Sequence, residues 1–343
     1  MASTTIRDVA KQAGVSVATV SRVFNNSSTV SEQTRKKVLL VCNELDYHPH
    51  TYAQRLSLGR SLTVAVILPF LTIPSYVERL RGVQQILEES EYDLVLFTAT
   101  SPEKRDAHFN ELSRKGRVDG LLIVSLPPSD DQVKRFNKSN LPAVLIDAYH
   151  PEMNRVVSDD IRGGYLATKY LLDLGHRKIA YLSDKMDTPF HFVAMRQRFE
   201  GYCKALHEAG IAVELDYHRQ GRVGGVESYE KAKELLLLPD PPTAIFAASD
   251  TNAVGVIKAA RDLDVKVPDD LSIIGYDGIR DSEYLEITTI QQPLFRSGVE
   301  GVELLFTLLD KPIENTQEIK LPVHLIVRET SAPPSRESYA FQI

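Results

Sequence analysis

The chain has 343 residues, 43% of them apolar, with a formal net charge of −6; no apolar run approaches the ~20 residues of a membrane span, so two or three soluble domains are expected and no membrane partner. Its two cysteines, Cys42 and Cys203, lie far apart and fit neither a disulfide framework nor a metal-ligand spacing, and with no leader-like start a cytoplasmic protein without cofactor or metal is expected. Charge is unevenly spread: residues 1–60 hold eight Lys/Arg against four Asp/Glu (+4) and the remainder sums to −10, a pattern that points a polyanion at the head alone.

The head begins "TTIRDVAKQAGVSVATVSRVFNN". Thr5 is a good N-cap, with Asp8 three residues on to close a capping box. Ile6, Val9, Ala10 and Ala13 form one apolar stripe, and Gly14 ends the helix in the left-handed position. Ser16 caps a second helix that buries Val20 and Val23 and projects Val17, Ala18, Ser21 and Arg22. Ser31 caps a third, with Val38, Val41, Cys42 and Leu45 inward. Two helices around a Gly-containing turn make a helix-turn-helix, whose second helix enters the DNA major groove. Small Val17 and Ala18 allow close approach and contact with thymine methyls, and Arg22 has the fork that suits guanine. Thr5, Ser16, Thr19 and Ser21 offer hydroxyls to phosphates. The alternative is a three-helix module that binds protein.

"HPHTYAQRLSLGR" follows, His48 to Arg60. Pro49 suits the start of a short helix over Thr51 to Leu58, too short to be stable alone. A tether without DNA and a helix with it is the expectation. Packed against a second copy over the operator centre, Leu56 would act as an apolar wedge in the minor groove.

From Leu62 strands alternate with helices: "LTVAVILP", helix Ser75 to Glu89, "YDLVLFTA", helix Glu103 to Lys115, "DGLLIVS", a short helix near Gln132, and "AVLID". A second series runs "RVVSDD", helix Arg162 to Leu174, "RKIAYLSD", helices Arg196 to Ala209 and Ser228 to Leu237, "TAIFAASD", helix Asn252 to Leu263 and "LSIIGYD". Such alternation predicts α/β lobes with parallel sheets, whose ligands bind outside the carboxyl ends of the strands. Ser125, Asp147, Asp159, Asp160, Ser249, Asp250 and Asp277 stand there, mostly acceptors that suit a hydroxyl-rich ligand. Asp160 and Asp250 have helix N-caps as their alternative role. Arg198 adds a bidentate donor, and Tyr76, Phe190 and Phe192 offer apolar faces to a sugar ring. No Walker loop, G-x-S-x-G or HExxH motif argues for an enzyme, although Asp147, Asp159 and Asp277 would be the carboxylates of one.

"TIRDVAKQAGVSVATVSRVFNN…VSEQTRKKVLLVCNELDYHPH" resembles the N-terminal signature of the lactose-repressor/galactose-repressor (LacI/GalR) transcription factors, and "YLLDLGHRKIAYLS", "RFEGYCKAL", "VPDDLSIIGYD" and "ITTIQQP" resemble that family's effector domain. The resemblance implies a homodimeric, sugar-responsive regulator, repressor-like, of sugar-utilisation genes, associated with the nucleoid and bound to a near-palindromic double-stranded DNA operator. It implies a three-helix head over 1–47, a hinge over 48–61 and a two-lobed body, like periplasmic sugar-binding proteins, over 62–330. Its N-lobe takes 62–160 plus 290–320 and its C-lobe 161–289 plus 321–330; 331–343 reads as a disordered tail. Val17, Ala18 and Arg22 fall on base-reading positions, with a galactose-type Val-Ala pair, and Leu56 on the intercalating leucine. Tyr47, His50, Ala53, Gln54 and Arg55 join the DNA-facing set, His50 standing where asparagine is common and Gln54 where arginine is. Tyr76, Ser125, Asp147, Arg198, Ser249 and Asp277 match effector contacts, with Asp160 and Phe190 beside them. "IPSY" replaces an Asn-Pro-Phe-Phe-like segment. The other function class is a small-molecule-binding protein whose head contacts only protein.

Overall fold

The computed structural model describes residues 4–24, 27–47, 60–190, 192–311 and 315–335. Local capping builds the head from α1 (Ile6–Ala13), α2 (Val17–Phe24) and α3 (Glu32–Glu44). The Asp8 carboxylate accepts from the Thr5 backbone N–H at 2.9 Å and from its hydroxyl at 2.7 Å, satisfying a donor that the helix start leaves open. Gly14 ends α1 at φ 66°, a left-handed backbone that suits glycine. Ser16 Oγ accepts from Thr19 N at 3.1 Å and Ser31 Oγ from Thr34 N at 3.3 Å. Val9, Ala13, Val20 and Val38 are fully buried and close the three helices on one small core. Arg35, one of the cations behind the head's positive charge, is spent inward, donating to the carbonyls of Val23 and Ser27, both at 3.0 Å.

The body starts with β1 (Thr63–Leu68), α4 (Pro74–Glu88), β2 (Asp93–Thr98), α5 (Pro102–Leu112), β3 (Gly120–Val124), α6 (Asp130–Ser139), β4 (Ala143–Ile146) and β5 (Asn154–Ser158). It continues with α7 (Asp160–Asp173), β6 (Ile179–Asp184), α8 (Ala194–Glu208), β7 (His218–Gly221), α9 (Ser228–Leu236), β8 (Ala244–Ala247), α10 (Asp250–Asp262), β9 (Ser272–Asp277), α11 (Arg280–Tyr284), β10 (Thr288–Gln291), α12 (Leu294–Asp310), β11 (Glu318–Leu321) and β12 (His324–Ile326). Two six-stranded sheets result, ordered β11-β5-β4-β3-β1-β2 and β12-β10-β9-β8-β6-β7, parallel except for β12 against β10. Continuous apolar strands follow from helices on both faces: Val64, Val66 and Leu68 of β1 pack on one side of their sheet, Ala65 and Ile67 on the other. The chain passes between the sheets after β5, after β10 and after β11.

Three expectations change. The strand–helix series grouped "RVVS" with the second sheet, but it is β5, paired with β4 and β11 in the first, with Arg155 beside Leu145 and Glu318. The elements after Asp277 had no counterpart in the strand–helix reading, since α12 and the short β10, β11 and β12 serve alternately one sheet and the other. The tail is not loose over residues 331–335: Ser331 Oγ meets the Tyr170 hydroxyl at 3.0 Å, and Ala332 N–H donates to Ser272 Oγ at 3.0 Å. Buried His176 closes that corner, its ring contacting Thr243 Oγ1 and the Ala332 carbonyl, both at 2.9 Å.

One packing detail sets the position of α4. A Cβ at Gly298 of α12 would lie 2.0 Å from the Arg79 carbonyl of α4, and one at Gly82 would lie 2.0 Å from the Phe295 carbonyl. Only glycine permits that approach, and it clamps the helix carrying Tyr76 and Arg79. Among the described residues no helix is long and apolar enough to cross a membrane.

Candidate ligand cavity and nucleic-acid interface

On the head, Val17 is 42% exposed, Ala18 and Arg22 are exposed, and Ser21 is half-buried, so this face of α2 is open. Thr19 Oγ1 lies 2.9 Å from Ser16 Oγ, which ties both hydroxyls to the start of α2. The Thr5 hydroxyl is engaged with Asp8. Tyr47 is half-buried, its ring 6.2 Å from that of Phe24, and burial pushes its hydroxyl pKa up. His50, Ala53, Gln54, Arg55 and Leu56 lie outside the described residues.

Between the two sheets sits a cavity of about 80 Å³, small beside the ~300–1,000 Å³ of most ligand pockets, as for two lobes drawn together. Tyr76, Ser125 and Asp147 reach it from the first lobe, Arg198, Ser249 and Asp277 from the second. Ser125 and Asp147 directly follow β3 and β4, and Asp277 ends β9. All three are non-glycine residues at positive φ: 55°, 58° and 112°. Such backbone is costly for residues with a Cβ and gathers where side chains must be aimed.

Arg198 is 3% exposed. Its Nε donates to Asp160 Oδ1 at 2.7 Å and its Nη1 to the Ala248 carbonyl at 2.6 Å, with Asp277 Oδ1 at 3.4 Å. The guanidinium also covers the Tyr276 ring, 3.7 Å from its centroid. Burial pushes the Asp277 carboxyl up to about 6, against the pull of Arg198 and Arg79. Burial raises Asp160 too, but its 2.7 Å contact with an always-charged guanidinium keeps this pair ionic. Asp277 Oδ1 accepts from Gln292 Nε2 at 2.6 Å, and Gln292 Oε1 lies 3.5 Å from Arg79 Nη2. Arg79 Nη2 is in turn 3.3 Å from Asp147 Oδ2, which accepts from Ser125 Oγ at 2.7 Å. A buried polar chain thus runs from Asp160 in one lobe to Ser125 in the other, with Gln292 in the segment that crosses between them.

Four named residues do not line the cavity: Asp159, Asp160, Asp250 and Phe190. Asp160 lies behind Arg198 and orients it. Phe190 is 6% exposed and packs into the first lobe's core with Ile67 and Phe136; its stacked neighbour Phe192, at 5.4 Å, provides the wall. The N-cap roles also shift by one position. Asp159, not Asp160, caps α7 by accepting from Arg162 N at 3.1 Å, and it also takes Lys320 Nζ at 2.8 Å. Ser249, not Asp250, caps α10. Asp250, pushed up to about 7 by burial, accepts from Ile279 N and Thr289 Oγ1 and braces the turn after β9.

The sequence reading missed Arg79, Asp184, Lys185 and Gln292 on the wall. Asp184 ends β6 and obeys the strand-end rule that found the others. Arg79 had a signal as well, three residues after Tyr76 and so on the same face of a helix.

Residues 5–50 match the model of bacterial regulatory proteins of the lacI family, and residues 168–331 that of the periplasmic binding protein-like domain. A PurR transcriptional repressor of Mannheimia succiniciproducens is 34% identical over 334 residues, 95% of this chain and 98% of that protein. Among solved structures, a lac repressor dimer bound to operator and the anti-inducer ONPF has a TM-score of 0.83 at 29% identity, over 96% of this chain and 100% of that one. A complex of the transcriptional regulator CelR with cellobiose has a TM-score of 0.71 at 30% identity, over 95% of this chain and 99% of that one.

Proposed function

The chain belongs to the lacI family of bacterial regulatory proteins, DNA-binding transcriptional regulators rather than enzymes, and from that premise we propose a sugar-responsive, repressor-type homodimer whose operator affinity is set by a small sugar-like effector in the inter-lobe cavity. The observation that carries the effector reading is the convergence of strand-end side chains from both sheets, Ser125, Asp147 and Asp277 among them, on one cavity. A ligand held by both lobes favours the closed arrangement over the open one, and only such differential affinity lets it act on distant DNA. The lac repressor and CelR structures, whose ligands are ONPF and cellobiose, support a sugar-like class.

Residues 1–47 form the reading head and 62–330 the effector body, whose two lobes exchange the chain near residues 160, 290 and 320. Val17, Ala18 and Arg22 read base edges; Thr5, Ser16, Thr19 and Ser21 hold phosphates, and Tyr47 joins the DNA-facing set. Residues 48–61 join the two, with His50, Ala53, Gln54 and Arg55 on the DNA and Leu56 as the minor-groove wedge, a role that rests on the family resemblance. One head reads a half-site, so a near-palindromic operator calls for two. Val95 and Leu96, each 39% exposed on edge strand β2, support pairing with a second copy. The regulator works at the nucleoid in the cytoplasm and controls sugar-utilisation genes.

Gel-shift on a palindrome with a central CG step, with and without sugars, tests the proposal. Leu56→Ala should weaken the complex and leave effector binding intact. Binding that ignores both Arg22→Ala and every sugar would overturn it.

A further inference from the structure

We infer that the effector is a sugar acid, a polyhydroxylated ligand whose carboxylate is received by Arg79. The inference rests on the reading of the inter-lobe cavity as the effector site.

Arg79 is 3% exposed and lines the cavity. A guanidinium has five N–H donors, and burying a charge is tolerated only when it is well paired. Among the described residues every polar contact of Arg79 is long: Nη1 to the Ser75 carbonyl at 3.4 Å, Nη2 to Asp147 Oδ2 at 3.3 Å and to Gln292 Oε1 at 3.5 Å. Its Nε has no hydrogen-bond partner among the described residues. Arg198, buried to the same degree, bonds at 2.6 and 2.7 Å. The carboxylate nearest Arg79 is shared, since Asp147 Oδ2 also accepts from Ser125 Oγ at 2.7 Å.

The cavity's other carboxylates are supplied with donors. Asp277 has Gln292 at 2.6 Å, and Asp184 has the backbone N–H of Gly224 at 3.0 Å with Asn252 Nδ2 at 3.4 Å. What this site lacks is therefore any acceptor for Arg79 Nε and a close one for its Nη atoms. A sugar hydroxyl would offer it a neutral oxygen. A carboxylate offers two oxygens and a charge in the planar geometry a guanidinium matches. A phosphate dianion would bring twice the charge toward Asp147 and Asp277, so a single negative charge fits best.

Calorimetric titration of the full chain tests this, with D-glucose and D-galactose against D-glucuronate, D-galacturonate and D-gluconate, and with glucose 6-phosphate as a further arm. At least one acid should bind about 10- to 100-fold more tightly than its neutral parent, the range for a hydrogen bond to a charged group. Arg79→Gln should erase that preference, and Arg79→Lys, which keeps the charge but not the fork, should retain part of it; retained operator binding shows that each variant is folded. A neutral sugar binding as tightly as its acid, a preference untouched by Arg79→Gln, or tightest binding by the phosphate each overturns the carboxylate assignment and leaves the effector site standing. If no arm binds while operator binding persists, the sugar-effector reading falls and the acid with it.

Discussion

Replacing Asp277 by asparagine should make the protein more stable at alkaline pH while weakening effector binding. Asp277 is 6% exposed, and burial raises its carboxyl from the ordinary 3.8 to about 6. A group raised on folding contributes its full stability below the unfolded value and loses it as pH climbs through the folded value. With about 1.4 kcal/mol per pKa unit, the ionised Asp277 costs the folded state about 3 kcal/mol by pH 8, of which about 1.4 kcal/mol is lost between pH 5 and pH 8. Asparagine mimics the neutral form, still accepts from Gln292 through Oδ1, and tolerates the φ of 112° at this position better than most residues. It gives up the 3.4 Å ionic contact with Arg198, which reduces the gain. Urea unfolding of wild type and Asp277→Asn at pH 5 and pH 8 reads the difference directly. The variant should be the more stable at pH 8, by an amount that grows by about 1 kcal/mol over that interval. A variant less stable at both pH values, or a difference that does not grow with pH, refutes the argument that burial outweighs the arginines.

Arg198→Met leaves Asp160 and Asp277 buried without their guanidinium and should cost about 3–5 kcal/mol at pH 8, less at pH 5 where the carboxyls can take up protons, by the same unfolding assay. Gly298→Ala places a methyl group 2.0 Å from the Arg79 carbonyl and should cost about 1–3 kcal/mol or more; thermal unfolding checks the loss, and calorimetry should show weaker effector binding as α4 is pushed aside. Arg22→Ala should lose about 1–3 kcal/mol of discrimination between the operator and a site altered at one guanine, measured by competition gel-shift, with protein stability unchanged because Arg22 is exposed.

The sequence by itself determined whatever rests on near neighbours in the chain. Thr5 with Asp8, Gly14, Ser16 and Ser31 mark helix ends through hydrogen bonds a few residues long, so the head was legible to the residue. Apolar strand runs with polar ends identified parallel sheets and drew out Ser125, Asp147, Ser249 and Asp277, because side chains after such strands share one rim. Only the tertiary structure decided which of the remaining side chains face that rim. Phe190 and Asp160 lie near it in sequence, yet one packs into the opposite lobe's core and the other sits behind Arg198. Gln292 belongs to the site because the chain crosses there between lobes, and Arg79 because two glycines let α4 press onto α12. Those contacts join residues up to 213 positions apart, and their energies depend on burial and distance that local pattern does not encode.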